Sequence, residues 1–282
     1  MYLKDYIPNI NKSLGKVFFS GISSNSLKVK KDNIFFAIKG NKFDGNEYIK
    51  DAIIKGAKII FSEQKIKDKK KNILYLKSSN IRKLLSKISY KILSKKFKKL
   101  VAVTGTNGKS SVADFYYQIC DLNLKKVASI GTIGIKIKNK KKSLNNTTID
   151  PIELSKILQD LKKRKIDHII LEASSHGLKQ NRLDGLLFDI GIFTNLSHDH
   201  LDYHKNMEDY LNSKLYLFKN LIRTKGVVIT DENIPQVKKI KKISSQKKIN
   251  LSLIFNKKNG LDLISHRFDN EKQILEIKFR DK

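Results

Sequence analysis

Residues 100–111 read LVAVTGTNGKSS, and this stretch decides the fold. Leu100–Thr104 is an uninterrupted apolar and β-branched run, the mark of a strand buried on both faces in a parallel sheet. Two glycines follow, then Lys109 and two hydroxyls, and then a helical spacing that continues to Leu122. A strand, a glycine turn and a helix N-terminus with a lysine make a seat for polyphosphate, because free backbone N–H groups and the helix dipole face an anion there. The pattern is not the full G-x-x-x-x-G-K-[ST] loop, since Val103 stands at its first glycine.

Working outward, residues 98–282 read as a P-loop-type, mostly parallel α/β domain and residues 1–97 as a smaller N-terminal α/β domain. The boundary is placed in the polar KKFKK stretch, Lys95–Lys99. In the first part, Ile34–Gly40, Lys58–Phe61 and Ile73–Leu76 predict strands, and Glu47–Gly56 and Ile81–Leu93 predict helices. In the second, Val127–Ile137 predicts one extended segment, and His168–Ala173, Ile190–Asn195 and Gly226–Thr230 predict buried strands. Asp150-Pro151 is a helix start with Asp as N-cap and Pro at the first position, and that helix runs to about Lys163. Met207–Ile222 predicts one more helix. Leu251–Phe255, Leu261–His266 and Ile274–Phe279 predict a small antiparallel group. An α/β sheet of this kind is expected to continue, so the chain reads as incomplete at its C-terminal end.

The 282 residues carry a formal charge of +31, almost all of it lysine spread along both halves. Nucleic-acid recognition favours arginine forks, which are scarce here, so no nucleic-acid partner is expected. The densest runs, Lys67–Lys71 and Lys138–Lys142, read as solvated loops. No apolar run approaches the roughly 20 residues of a membrane helix, and the N-terminus lacks a signal-peptide pattern. The expectation is a cytoplasmic monomer without a membrane partner. The single cysteine, Cys120, reads as a small hydrophobe on a helix.

Two further segments carry polar residues at the ends of apolar strands, where α/β sheets place ligand sites. The first, Leu171–Arg182, reads LEASSHGLKQNR, and its Glu172 is placed to hold magnesium together with Ser110. The second, Asn195–His204, reads NLSHDHLDYH. It packs three His and two Asp into seven residues, without any zinc spacing. On the helix that follows, Lys214 falls in an apolar stripe of Met207, Tyr210, Leu211, Leu217, Phe218 and Leu221. A lysine there must snorkel, pair or lose its charge, and a neutral amine can add carbon dioxide to give a metal-binding carbamate.

These segments, in this order, resemble the Mur ligases. The stretch E-A-S-S-H-G-L-x-Q-x-R followed by F-D-I-G-I-F-T-N-L-S-H-D-H-L-D-Y-H resembles the branch that joins a diamino acid to UDP-MurNAc-L-Ala-D-Glu in peptidoglycan synthesis. The stretch from Ser23 to Gly45 resembles that branch's uridine-diphosphate-binding domain. The resemblance implies an ATP- and Mg2+-dependent ligase acting through an acyl phosphate, with meso-diaminopimelate favoured over L-lysine. It assigns ATP to Gly105, Thr106, Asn107, Gly108, Lys109, Ser110 and Ser111. It assigns the uridine moiety to Ser26, and the UDP-MurNAc-dipeptide to Asn146, Thr147, Thr148, Ser174, Gln180 and Arg182. Magnesium falls to Ser110 and Glu172 at one position, and to His200 with a carbamylated Lys214 at a second. Lys109, Lys214 and His200 are the implied catalytic residues.

The chain departs from the pattern at Leu27, where arginine is common, and at Asn25, where aspartate is frequent. The family's C-terminal domain, with its amino-acid-selecting motif of the D-N-P-R type, is not in the sequence. A fragment that binds the dipeptide substrate without forming the amide bond is therefore an alternative. A basic, nucleic-acid-binding P-loop ATPase is a more distant one.

Overall fold

The computed structural model describes residues 1–40, 43–66, 69–92, 97–138, 140–144, 146–254, 261–270 and 272–279. Two compact units are present. One comprises residues 1–95, 150–160 and 180–186, and the other 96–149, 161–179 and 187–282. Lys95 and Lys96 of the KKFKK stretch, Lys67 and Asp68 of the first lysine run and Asn139 of the second lie outside the described residues, as do Leu93, Phe255 and the last three positions.

The first unit is a four-stranded parallel sheet of β1 (Gly21–Ser23), β2 (Asn33–Ala37), β3 (Ala57–Ser62) and β4 (Leu74–Lys77), side by side in that order. Helices α1 (Lys12–Gly15), α2 (Ile49–Ile54) and α3 (Ile81–Lys91) accompany it. Alternation along β2 explains why every residue of it is buried. Ile34 and Phe36 join Ile59, Phe61, Leu85 and Ile88 in one core, while Phe35 and Ala37 join Ile60, Ile49 and Ala52 in another. A strand covered on both faces has no polar side to show. The strand predicted to reach Gly40 stops at Ala37. Beyond it Gly45 crosses so closely that a Cβ there would lie 2.6 Å from Ile38 N and O.

The second unit holds an eight-stranded sheet. Its strands are β5 (Lys99–Thr104), β6 (Val127–Gly131), β7 (Gly134–Ile137), β8 (Lys140–Lys142), β9 (His168–Glu172), β10 (Phe188–Phe193), β11 (Ile222–Asp231) and β12 (Asn250–Ile254). Their order is β12-β11-β10-β5-β9-β6-β7-β8, with all pairs parallel from β12 to β6 and antiparallel beyond. The central β5 runs into α4 (Lys109–Leu122). The later helices are α5 (Pro151–Lys163), α6 (Ser175–Lys179), α7 (Met207–Tyr216) and α8 (Val237–Lys247). The N-cap expected of Asp150 is present, its Oδ1 accepting from Ile152 N at 2.9 Å.

Four expectations are corrected. Val127–Ile137 is a hairpin of β6 and β7, turning at Thr132-Ile133 into Gly134, whose φ of 104° is open to glycine. The Met207–Ile222 helix ends as α7 at Tyr216 and passes through a π-helical turn, Leu217–Leu221, before Ile222 opens β11. That turn keeps Leu217, Phe218 and Leu221 buried. Leu251–Ile254 belongs to β12 and pairs parallel with β11, not with the C-terminal group. The unforeseen α8 makes this crossover possible: Val237, Ile240 and Ile243 recur at three-residue spacing inside a lysine-rich stretch, with Ile240 and Ile243 buried. The antiparallel group is therefore two-stranded, β13 (Leu261–Asp269) with β14 (Lys272–Phe279). Finally, Lys140–Lys142 is not a loop but the exposed edge strand β8, where charge discourages further pairing. Among the described residues no helix is long and apolar enough to cross a membrane.

One polar contact ties the middle of the large sheet. Asp189, on β10, accepts from Leu100 N at 2.8 Å and pairs with Arg223 at 2.8 Å. Asp189→Ala leaves a buried N–H without an acceptor, and a loss of about 1–3 kcal/mol in urea unfolding is expected. An unchanged midpoint would show that the strand end does not depend on this carboxylate.

Candidate functional site

The loop between β5 and α4 is held from the side by the segment leaving β10. Thr106 N donates to Asn195 O at 3.0 Å, Asn107 N to Asn195 Oδ1 at 3.0 Å, and Ser197 N to Thr106 Oγ1 at 3.0 Å. Thr194 Oγ1 donates to Asn107 O at 2.7 Å. The loop can pass this close because Gly105, at φ 154°, has no side chain; a Cβ there would lie 1.8 Å from Thr194 Oγ1. Gly108, at φ 79°, turns the chain into α4. A cavity of about 300 Å³ opens over residues 106–111 and reaches Thr132, Thr147, Ser174, His200 and Lys214.

Two lysines converge on one carbonyl beneath it. Lys109 Nζ donates to Gly105 O at 3.0 Å and to Thr106 O at 2.7 Å, and Lys214 Nζ donates to the same Gly105 O at 2.6 Å. Lys214 is 1 % exposed and lies 4.2 Å from the centre of the Tyr210 ring. Burial pushes its pKa down to about 7, helped by the charge of Lys109 and opposed by Asp199. Burial also lowers Lys109, against Glu172 and Asp199. The stripe residues Tyr210, Leu211, Leu217, Phe218 and Leu221 are all buried, so the inward face expected for Lys214 is present.

At the end of β9 Glu172, 3 % exposed, gathers donors. Its Oε2 accepts from Ser110 Oγ and Thr132 Oγ1, both at 3.0 Å, and its Oε1 accepts from Thr132 N at 3.0 Å. Gly131 leaves room for the carboxylate, since a Cβ there would lie 2.1 Å from Oε1. Thr147 Oγ1 meets Thr132 Oγ1 at 2.9 Å, and Thr148 Oγ1 meets Ser174 Oγ at 3.0 Å. A carboxylate and a hydroxyl converging on one point form an all-oxygen donor pair, which fits a hard divalent cation such as magnesium. His200 lines the same cavity, at φ 53°, with Nε2 3.4 Å from Asp199 Oδ2. Among the described residues no cluster of three or more His, Cys, Asp or Glu could hold a metal by itself.

The remaining expected site residues lie elsewhere. Asn146 is exposed. Ser26 and Gln180 line a separate cavity of about 640 Å³ within the first unit, and Gln180 Oε1 accepts from Arg182 Nε at 3.0 Å and Nη2 at 2.8 Å. Arg182 O in turn accepts from Tyr90 Oη at 2.7 Å.

Several residues were missed. Thr132 is the principal partner of Glu172, and the Gly131-Thr-Ile-Gly134 turn was its signal. Thr194 and Asn195 brace the loop without any local mark of doing so. Ser175 Oγ meets His204 Nε2 at 3.0 Å, and His204 Nδ1 lies 3.5 Å from Asp209 Oδ2, so this histidine is buried structure beside the cavity.

Residues 103–281 match the Mur ligase middle domain, and residues 19–92 match the Mur ligase family, catalytic domain. The UDP-N-acetylmuramoyl-L-alanyl-D-glutamate--2,6-diaminopimelate ligase of Rickettsia conorii (strain ATCC VR-613 / Malish 7) is 43% identical over 228 residues, covering 78% of this chain and 47% of that protein. The protein of the same name from Buchnera aphidicola subsp. Schizaphis graminum is 40% identical over 237 residues, covering 81% and 47%. The chain thus spans about half the length of the curated relatives it matches. A solved structure of a protein with that enzyme name superposes with a TM-score of 0.85 at 23% identity, over 99% of this chain and 58% of that one. A MurF ligase from Thermotoga maritima in complex with ADP gives 0.58 at 20%, over 92% and 56%. At these identities the two structures establish a shared fold.

The buried Lys214 makes a signed prediction about pH. Its folded-state pKa of about 7 lies below the 10.5 of an unburied lysine, so between these values the unfolded chain binds the extra proton. Its contribution is therefore fullest above about pH 10.5, declines as pH falls, and levels off below about pH 7. In Lys214→Met the rise in urea midpoint from about pH 7 to 10 should be shallower than in the unsubstituted chain. Parallel curves would mean that the amine stays charged in its site.

Proposed function

The chain belongs to the Mur ligase family, and on that basis we propose that it is, or is part of, an ATP-dependent ligase. The reaction would add a diamino acid, meso-diaminopimelate in preference to L-lysine, to UDP-MurNAc-L-Ala-D-Glu. One observation carries this reading: Lys109 and Lys214 meet on Gly105 O at a cavity lined by residues 106–111, where Ser110 is hydrogen-bonded to Glu172. Residues 1–97, with Gln180 joining Ser26 at their cavity, are assigned to the UDP-MurNAc ligand, and the rest of residues 98–282 to ATP. Arg182 supports Gln180, and Asn146, Thr147, Thr148 and Ser174 are assigned to the dipeptide. A monomer working in the cytoplasm, where ATP is made, completes the reading.

The chemistry follows from charge and position. A carboxylate oxygen of the dipeptide forms a bond to the γ-phosphorus of ATP as the bond to ADP breaks, leaving an acyl phosphate. The amine of the incoming amino acid then bonds to the acyl carbon, and inorganic phosphate leaves with the bonding electrons. Loop amides at 108–111 and the Lys109 ammonium would face the transferring phosphoryl group and offset charge as it develops. Ser110 and Glu172 would hold one Mg2+, and His200 with Lys214 a second. Bound there, magnesium would neutralise phosphate oxygens. With its pKa near 7, the Lys214 amine is neutral often enough to attack carbon dioxide and lose a proton, becoming the carbamate that this second position requires.

The first half of the reaction can be tested apart from the second. With ATP, Mg2+, UDP-MurNAc-L-Ala-D-Glu and hydroxylamine, an acyl phosphate is trapped as a hydroxamate whether or not the amino acid can be selected. Hydroxamate is expected from the chain and not from Lys109→Ala. Equal yields from both, or none from either, would refute the role given to this loop.

A further inference from the structure

The first-unit cavity has a chemical asymmetry that the site assignments leave unused. Two aromatic residues, Phe43 and Tyr48, line it, and both are exposed, at 69 % and 37 %. Among the described lining residues the one charged side chain is Arg82, none is a carboxylate, and Leu27 contributes no charge. Arg82 stands on the first turn of α3 and donates from Nη2 to Lys39 O at 3.0 Å. One of its five N–H donors is thereby used. Among the described residues no second hydrogen bond or ion pair engages the guanidinium, which is anchored at one end and half-buried. A planar fork held in that way suits two phosphate oxygens at once, which a lysine ammonium cannot match.

We propose that Arg82 is the residue by which this cavity recognises a phosphorylated ligand: it grips the diphosphate of a nucleoside diphosphate whose base lies against Phe43 and Tyr48. This rests on reading the cavity as the UDP site and adds the group that makes the site select a diphosphate over a bare nucleoside. The rings contribute area without regard to charge, so base recognition and anion recognition are separable. Removing the guanidinium should abolish the preference for phosphate and spare the nucleoside.

Calorimetric titration of the full chain with UDP, UMP and uridine tests this without requiring turnover. UDP is expected to bind at least about tenfold tighter than uridine. Arg82→Met should weaken UDP by about ten- to a hundredfold, the range of a charge-assisted contact, while uridine stays within about twofold. Arg82→Lys should fall between. If Arg82→Met fails to fold, as shown by circular dichroism, Arg82→Gln, which can still donate to Lys39 O, takes its place. Lys109→Ala separates the two cavities and should leave UDP affinity unchanged. UDP binding that survives loss of Arg82 overturns the role of Arg82 and leaves the UDP reading standing, whereas UDP binding lost with Lys109 instead places UDP at the loop after β5 and overturns both. Failure of the unsubstituted chain to bind either UDP or uridine overturns the UDP reading, and the proposal with it.

Discussion

At Gly105 the backbone leaving β5 comes within van der Waals reach of the backbone leaving β10, and no side chain fits between them. That close approach aims the Gly105 carbonyl at Lys109 and Lys214 together. It also lets Thr194 and Asn195 take up the polar groups of residues 106 and 107, which fixes the loop from that side. A phosphate seat made of backbone has to be rigid before its ligand arrives, because reorganising it during reaction would cost part of the electrostatic gain.

The two lysines set an electrostatic problem that the structure resolves by position. Desolvating one ammonium is costly, and placing a second against it costs more. Burial lowers both amines, and the deeper one, Lys214, goes furthest, to about 7, with only Asp199 opposing, whereas Lys109 has Glu172 as well as Asp199 within electrostatic reach. A neutral amine beside a cation is a reactive arrangement, and the apolar stripe of α7 with its π-helical turn is what enforces it. Glu172 spends its lone pairs on hydroxyls and one amide, weak partners that a cation could displace.

The lysine richness of the chain has little part in this. Most of the +31 charge lies on exposed faces such as β8 and α8, where it deters edge pairing and leaves only a thin apolar seam inward. Concealed by that composition, α8 is what converts a supposed antiparallel appendage into β12 of the central sheet.

Read alone, the sequence determined the β5–loop–α4 unit, the buried strands after it, the Asp150-Pro151 helix start and the inward position of Lys214. Each of these rests on local periodicity or on a backbone requirement of glycine and proline, which a short window of residues contains in full. Lys109, Ser110 and Glu172 were legible as polar residues at the ends of buried strands, and His200 was singled out only through the family resemblance. Only the tertiary structure decided that Thr132 is the partner of Glu172, that Thr194 and Asn195 brace a loop some ninety residues earlier, and that Arg82 shares a cavity with Ser26. Beyond the glycine turn at Thr132, none of these carries a local signal, because hydrogen bonds between distant segments depend on strand order and register. Those follow from packing whole elements against one another, and a one-residue shift in register would send the same side chains to the opposite face.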